Sequence, residues 1–207
     1  FDKCVKLASS RIANYALGFV SFIESFFFPV PPDLMIVPMV VAKKENYLNI
    51  FESGNLAEGE WNKKVAEWSC SYTSADYSLA VNSNGAGIFT ILRLMKEYRS
   101  KKKIFLQSNT MYGVKTIAIS SGLEMCGYVD CSLDYLMPTY SQVKEFINNL
   151  DRPEDSVFLL THIGGWVNPD IEKIADICKE YGISLIEDCA HSLGSTLSGK
   201  HTGLFGD

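Results

Sequence analysis

From residue 61 onward, short apolar runs alternate with segments of helical period, and this alternation constrains the fold more than any other feature. Lys103–Gln107, Glu124–Val129, Val157–Thr161 and Ser184–Glu187 read as strands. Between them, Trp61–Tyr72, Gly85–Arg99, Tyr112–Ser121, Tyr140–Asn149 and Pro169–Tyr181 read as helices, because their apolar residues recur every three or four positions. Tyr77–Asn82 reads as a further short strand. Pro169 is expected in the first turn of its helix, and Gly182 at its end. Strands that alternate with helices predict a parallel α/β sheet with right-handed crossovers.

The run Ile183-Ser184-Leu185-Ile186-Glu187-Asp188-Cys189-Ala190-His191 ends an apolar strand on an acidic pair. The carboxyl end of a strand is where open α/β sheets hold their ligands. A carboxylate there can pair with a protonated ring nitrogen. The same residues also fit a buried strand whose acid caps the following helix. At Val81-Asn82-Ser83-Asn84-Gly85-Ala86-Gly87, a strand end turns through glycines into a helix. Free N–H groups and the dipole at that helix start favour a phosphate. An ordinary strand-to-helix turn has the same pattern.

The net charge of −5 and a single basic cluster, Arg99 with Lys101–Lys103, argue against nucleic-acid binding. The cluster reads as the solvated end of a helix. The six cysteines form no Cys-x-x-Cys pair, and the three histidines lie far apart. Neither a zinc site nor a disulfide framework is expected, and reduced cytosolic thiols are the plain reading. His162 is expected to support structure at a strand end, and His201 to sit in an exposed turn. The hydrophobic share of 47% allows a real core.

These strand ends, taken in order, resemble the DegT-type nucleotide-sugar aminotransferases. Asn55-Leu56-Ala57-Glu58-Gly59 with Trp61–Trp68 resembles the family's entry segment. Val81-Asn82-Ser83-Asn84-Gly85-Ala86-Gly87 resembles its phosphate loop, and Gln107-Ser108-Asn109-Thr110 the segment before its ring-stacking aromatic. Gly127-Tyr128-Val129-Asp130, Thr161-His162-Ile163-Gly164-Gly165 and Gly203-Leu204-Phe205-Gly206-Asp207 follow in family order. The resemblance covers residues 51–207. It implies the large domain of an aspartate-aminotransferase-like fold, with pyridoxal 5′-phosphate as cofactor.

The resemblance also implies roles. Asn84 and Gly85 would face the phosphate, Met111 would lie on the ring face, Asp188 would hold the ring nitrogen, and His191 would lie near the ring hydroxyl. Asn84 stands where the family usually has Gly, Gly85 where it has Thr, and Met111 where it has an aromatic. The family's Schiff-base lysine lies beyond the position of Asp207, so no lysine here is expected to take that catalytic role. Lys115, Lys179 and Lys200 are each poorly placed for it. The implied activity is amino transfer to a nucleotide-linked keto sugar from an amino-acid donor by a homodimer. Residues 51–207 are expected to be inactive by themselves. Relatives with His in place of the lysine are dehydratases, which leaves a sugar dehydratase as an alternative. The implied sheet order is 124–129, 103–107, 157–161, 184–187. Segment 77–82 is expected to lack its neighbours, which leaves the phosphate loop detached from Asp188 and pyridoxal phosphate binding poor.

Residues 16–42 differ in kind. Ala16–Phe28 is apolar apart from Ser21, Glu24 and Ser25, and Pro29, Pro31, Pro32, Asp33 and Pro38 interrupt a second apolar stretch, Leu34–Ala42. Neither stretch reaches the ~20 residues needed to span a bilayer. A re-entrant or broken membrane hairpin fits, and so does a soluble helix, a Pro-rich turn and a second core helix. Phe22-Ile23-Glu24-Ser25-Phe26-Phe27-Phe28-Pro29-Val30-Pro31-Pro32-Asp33 resembles the DedA-like (SNARE-associated Golgi) membrane proteins. That resemblance covers residues 1–50 and implies membrane contact through 16–42. The chain therefore reads as a chimera joined near Ile50. An apolar helical hairpin precedes a cytoplasmic, partial PLP-transferase domain with a mostly parallel α/β sheet.

Overall fold

Four short strands carry the architecture, and each alternates its side chains between two helical layers. The computed structural model describes residues 60–207. The apolar hairpin, the junction near Ile50 and the entry segment lie outside the described residues. Among the described residues, no helix is long and apolar enough to cross a membrane.

In chain order the elements are α1 (Glu60–Thr73), α2 (Asn84–Arg99), β1 (Lys103–Gln107), α3 (Tyr112–Ser120), β2 (Glu124–Val129), α4 (Tyr140–Asn148), β3 (Ser156–Thr161), α5 (Ile171–Glu180) and β4 (Ser184–Asp188). A two-stranded hairpin of β5 (Thr196–Leu197) and β6 (Lys200–His201) follows. Residues Lys64–Asp207 form one unit. The sheet runs β2-β1-β3-β4 with every pair parallel, which is the expected order.

The two faces follow from the two-residue period of a strand. Phe105, Phe158, Leu160 and Leu185 face one way, onto Val143 and Ile147 of α4 and Ile171, Ile174 and Ile177 of α5. Ile104, Leu106, Val157, Leu159 and Ile186 face the other way, onto Ile88 and Leu92 of α2 and Val114 and Ala118 of α3. Both faces are thus covered, as a parallel sheet requires, and β3, in the centre, is buried throughout. Gly127 of β2, at φ 148°, admits the Phe146 ring, which a Cβ would meet at 2.9 Å.

Four expectations need correction. Tyr77–Asn82 is not a strand, and Tyr77 is 92% exposed; an apolar alternation becomes a strand only where a neighbour takes its backbone hydrogen bonds. Pro169 precedes α5, because the Asn168 side chain accepts the Asp170 N–H at 2.8 Å and starts the helix later. The basic cluster is not merely solvated. Lys101 is buried and donates to the carbonyls of Glu154 (2.8 Å) and Gly182 (2.6 Å), pinning the amino end of the sheet. His201 is not an exposed turn residue. It lies in β6, half-buried, with its ring 5.0 Å from that of Tyr72.

Helix α4 starts on a complete capping box. The Thr139 side chain accepts the Gln142 N–H, and the Gln142 side chain accepts the Thr139 N–H. Thr139→Ala should remove one partner and cost about 1 kcal/mol. The measurement is the urea midpoint, and an unchanged midpoint would mean that packing alone holds this helix start.

Candidate active site

Every strand of a parallel sheet ends on the same edge, so Gln107, Val129, Thr161 and Asp188 share one rim. The rim is sewn together by side chains. Gln107 is fully buried; its Oε1 accepts the Thr161 N–H at 3.0 Å, and its Nε2 donates to the Asn109 carbonyl at 2.9 Å. This ties the end of β1 to the end of β3 and sets the start of the loop that carries Met111.

Asp188 closes β4 and is 6% exposed. Its Oδ1 accepts two bonds, from the Ala190 N–H at 3.1 Å and from Asn84 Nδ2 at 3.1 Å. Asn84 is the first residue of α2, whose N-cap Ser83 accepts the Ala86 N–H. The first intrahelical bond of α2 runs from Gly87 N–H to the Ser83 carbonyl, so the Asn84 and Gly85 N–H groups precede it and have no partner within the helix. Gly85 is itself a close-approach position, since a Cβ there would meet Ile117 of α3 at 3.1 Å.

The phosphate-type loop is therefore not detached from Asp188, contrary to expectation. Its anchor is the packing of α2, through Ile88 and Leu92, onto α3 and the sheet. That packing needs no pairing by segment 77–82.

The other candidates stand further out. Met111 is the N-cap of α3 and is 72% exposed. It lines an open groove of about 410 Å³ with Ser108, Thr110, Tyr112, Lys115 and Tyr128, and Asp188 is not among its walls. His191 is exposed in the turn that follows β4. No helix starts there, which removes the helix-capping alternative for Asp188. Lys179 is exposed at the end of α5, and Lys200 Nζ lies over the Phe205 ring at 4.7 Å.

Beside Asp188, Glu187 does work that the sequence did not reveal. Its Oε1 accepts the N–H groups of Phe205 (2.7 Å) and Gly206 (2.8 Å). Its Oε2 accepts the Gly203 N–H (3.0 Å) and meets His162 Nε2 at 2.9 Å. His162 Nδ1 accepts the Asn168 N–H at 3.1 Å, so the ring proton sits on Nε2 and donates to Glu187. His162 is fully buried and supports structure at a strand end, as expected. One carboxylate thus gathers the segment 203–206 against β4, where any side chain on Gly206 would run into the Leu185 carbonyl. Asp207 extends the contact, its N–H donating to the Leu185 carbonyl at 2.9 Å.

Burial alone would raise the Glu187 carboxyl, but the bonds from His162 and from the Gly203 and Gly206 N–H groups outweigh it. They leave Glu187 below the usual carboxylate range. Donor atoms of His162, Glu187 and Cys189 lie within 4.8 Å of one another. The carboxylate is already filled by four donors, and burial, with Glu187 nearby, pushes the Cys189 thiol up to about 12. With His162 and three backbone N–H groups on Glu187, the cluster is a hydrogen-bonded knot that holds the rim.

The fold has counterparts among known proteins. The sequence profile of the DegT/DnrJ/EryC1/StrS aminotransferase family matches residues 39–207. The match begins inside the segment assigned by sequence to the DedA-like hairpin. Among solved structures, the chain is similar to Helicobacter pylori PseC, an aminotransferase involved in pseudoaminic acid biosynthesis, with TM-score 0.66, 18% identity, 76% of this chain covered and 41% of that chain. It is also similar to E. coli GDP-4-keto-6-deoxy-D-mannose-3-dehydratase with bound hydrated PLP, with TM-score 0.69, 18% identity, 79% of this chain covered and 42% of that one. The aminotransferase TlmJ of Streptoalloteichus hindustanus gives TM-score 0.62 at 23% identity, with 77% and 42% covered. At these identities the likeness shows the fold, and the chain spans about two fifths of the length of these proteins.

Proposed function

The chain belongs to the DegT/DnrJ/EryC1/StrS aminotransferase family, and from that premise we propose that its strand-end residues hold pyridoxal 5′-phosphate. The protein then moves an amino group from an amino-acid donor onto a nucleotide-linked keto sugar, as a homodimer. The observation that carries this reading is the 3.1 Å contact between Asn84 Nδ2 and Asp188 Oδ1. It sets unpaired N–H donors and a strand-end carboxylate side by side on the carboxyl rim. Those donors suit a phosphate, and the carboxylate suits a ring nitrogen that must keep its proton.

Asn84, Gly85 and Asp188, which the rim brings together, suit the cofactor. The Asn84 and Gly85 N–H groups would take the phosphate. Gly85 lacks the hydroxyl that the family usually places there, so these contacts come from the backbone. Asp188 would receive the ring N–H on Oδ2, because Asn84 and Ala190 already engage Oδ1. Met111 would lie on the ring face through its polarizable sulfur, and His191 would face the ring hydroxyl. When bound, pyridoxal 5′-phosphate supplies an electron sink for bond breaking at the carbon that carries the amine.

The test is a titration of the full-length protein with pyridoxal 5′-phosphate, followed by visible absorbance. Glutamate is then added without acceptor, and 2-oxoglutarate is counted. Stoichiometric binding with one 2-oxoglutarate per site is expected. Binding without 2-oxoglutarate would overturn the amino-transfer half, and absence of binding would overturn the whole.

A further inference from the structure

We propose that the Asn84 side chain is a positioning residue: its amide fixes the Asp188 carboxylate and leaves Oδ2 to receive the ring nitrogen of the cofactor. The inference rests on the cofactor reading above. It assigns Asn84 a second role, through its side chain and toward the ring end, distinct from the backbone contact with phosphate.

Three observations support it. First, Asn84 Nδ2 lies 3.1 Å from Asp188 Oδ1, across 104 positions of sequence. Second, the Ala190 N–H reaches the same oxygen at 3.1 Å. Two donors on one oxygen, one from α2 and one from the turn after β4, fix the torsion of a short side chain that would otherwise rotate. Third, the donor sits on a rigid base. Asn84 is the first residue of a helix that Ile88 and Leu92 bury against the sheet, and Ser83 caps the same turn. The position where the family usually has Gly thus carries a side chain here, and that side chain points at the residue expected to hold the ring.

The experiment is a double-mutant cycle on cofactor affinity in the full-length protein, with Asn84→Ala, Asp188→Ala and the double variant. Two probes are used: pyridoxal 5′-phosphate, and pyridoxal, which lacks the phosphate. If Asn84 acts through Asp188, Asn84→Ala should weaken both probes by roughly five- to tenfold, the scale of one hydrogen bond to a charged group. The same change should cost almost nothing once Asp188 is alanine. A penalty seen only with the phosphorylated probe, and retained in the Asp188→Ala background, would overturn the proposal and make Asn84 a phosphate contact alone. Equal affinity of Asn84→Ala and wild type would overturn it as well. A wild type that binds neither probe defeats the cofactor reading itself and is thereby distinguished from failure of the Asn84 role.

Discussion

Asp188→Asn should leave the fold intact and reduce turnover of the full-length protein by on the order of 10²–10³-fold, roughly 3–4 kcal/mol of barrier. The asparagine oxygen can keep both contacts of Oδ1, with Asn84 and with the Ala190 N–H. The change is confined to the other atom, where an acceptor becomes an amide donor that faces the ring nitrogen. The ring then loses the partner that keeps its proton, and with it much of its capacity as an electron sink. Three measurements decide the matter: the unfolding midpoint, the pyridoxal phosphate affinity and kcat for amino transfer. An unchanged midpoint with a collapsed kcat is expected. Undiminished turnover would remove Asp188 from the site.

Glu187→Ala should be the most destabilising polar substitution on this rim, by about 3–5 kcal/mol, because several buried donors lose their acceptor at about 1–3 kcal/mol each. It strands the N–H groups of Gly203, Phe205 and Gly206 and the Nε2 proton of His162. Glu187→Gln is expected to fall between wild type and alanine. Its oxygen can keep Phe205 and Gly206, while its amide must face the Gly203 N–H and the His162 proton, donor against donor. A loss below 1 kcal/mol for the alanine variant in urea unfolding would show that the loop is held by other means.

The pH dependence has a fixed sign. The folded Glu187 carboxyl lies below the usual carboxylate range. Its contribution is therefore complete above the unfolded value and is lost as pH falls through the folded value. Wild type should lose stability on acidification below the usual carboxylate range, and the alanine variant should lose less over the same interval.

The sequence determined the elements, because local pattern fixes local structure. Lys103–Gln107 and Glu124–Val129 fall where the apolar runs predict, and Gly182 ends α5 at φ 66°, where a glycine meets no steric penalty. The strand-end acid was visible too, since an apolar run that stops on Glu187-Asp188 marks the rim of a sheet. Sheet order came from the family resemblance, since residue period says nothing of which strand neighbours which.

What the sequence misjudged shares one cause. Tyr77, Leu79 and Val81 alternate as a strand does, yet a strand exists only through backbone bonds to another, and the described residues offer 77–82 none. Lys101 and His201 looked like surface residues because charge and ring polarity are local properties, whereas burial belongs to whatever packs over them. The division of labour within the acidic pair lay deeper still. Nothing in Glu187-Asp188 says that the first gathers Gly203–Gly206 while the second meets Asn84. Those contacts join residues 16 to 104 positions apart, and only the stacking of α2 and α5 on opposite faces of one sheet brings them within hydrogen-bond reach.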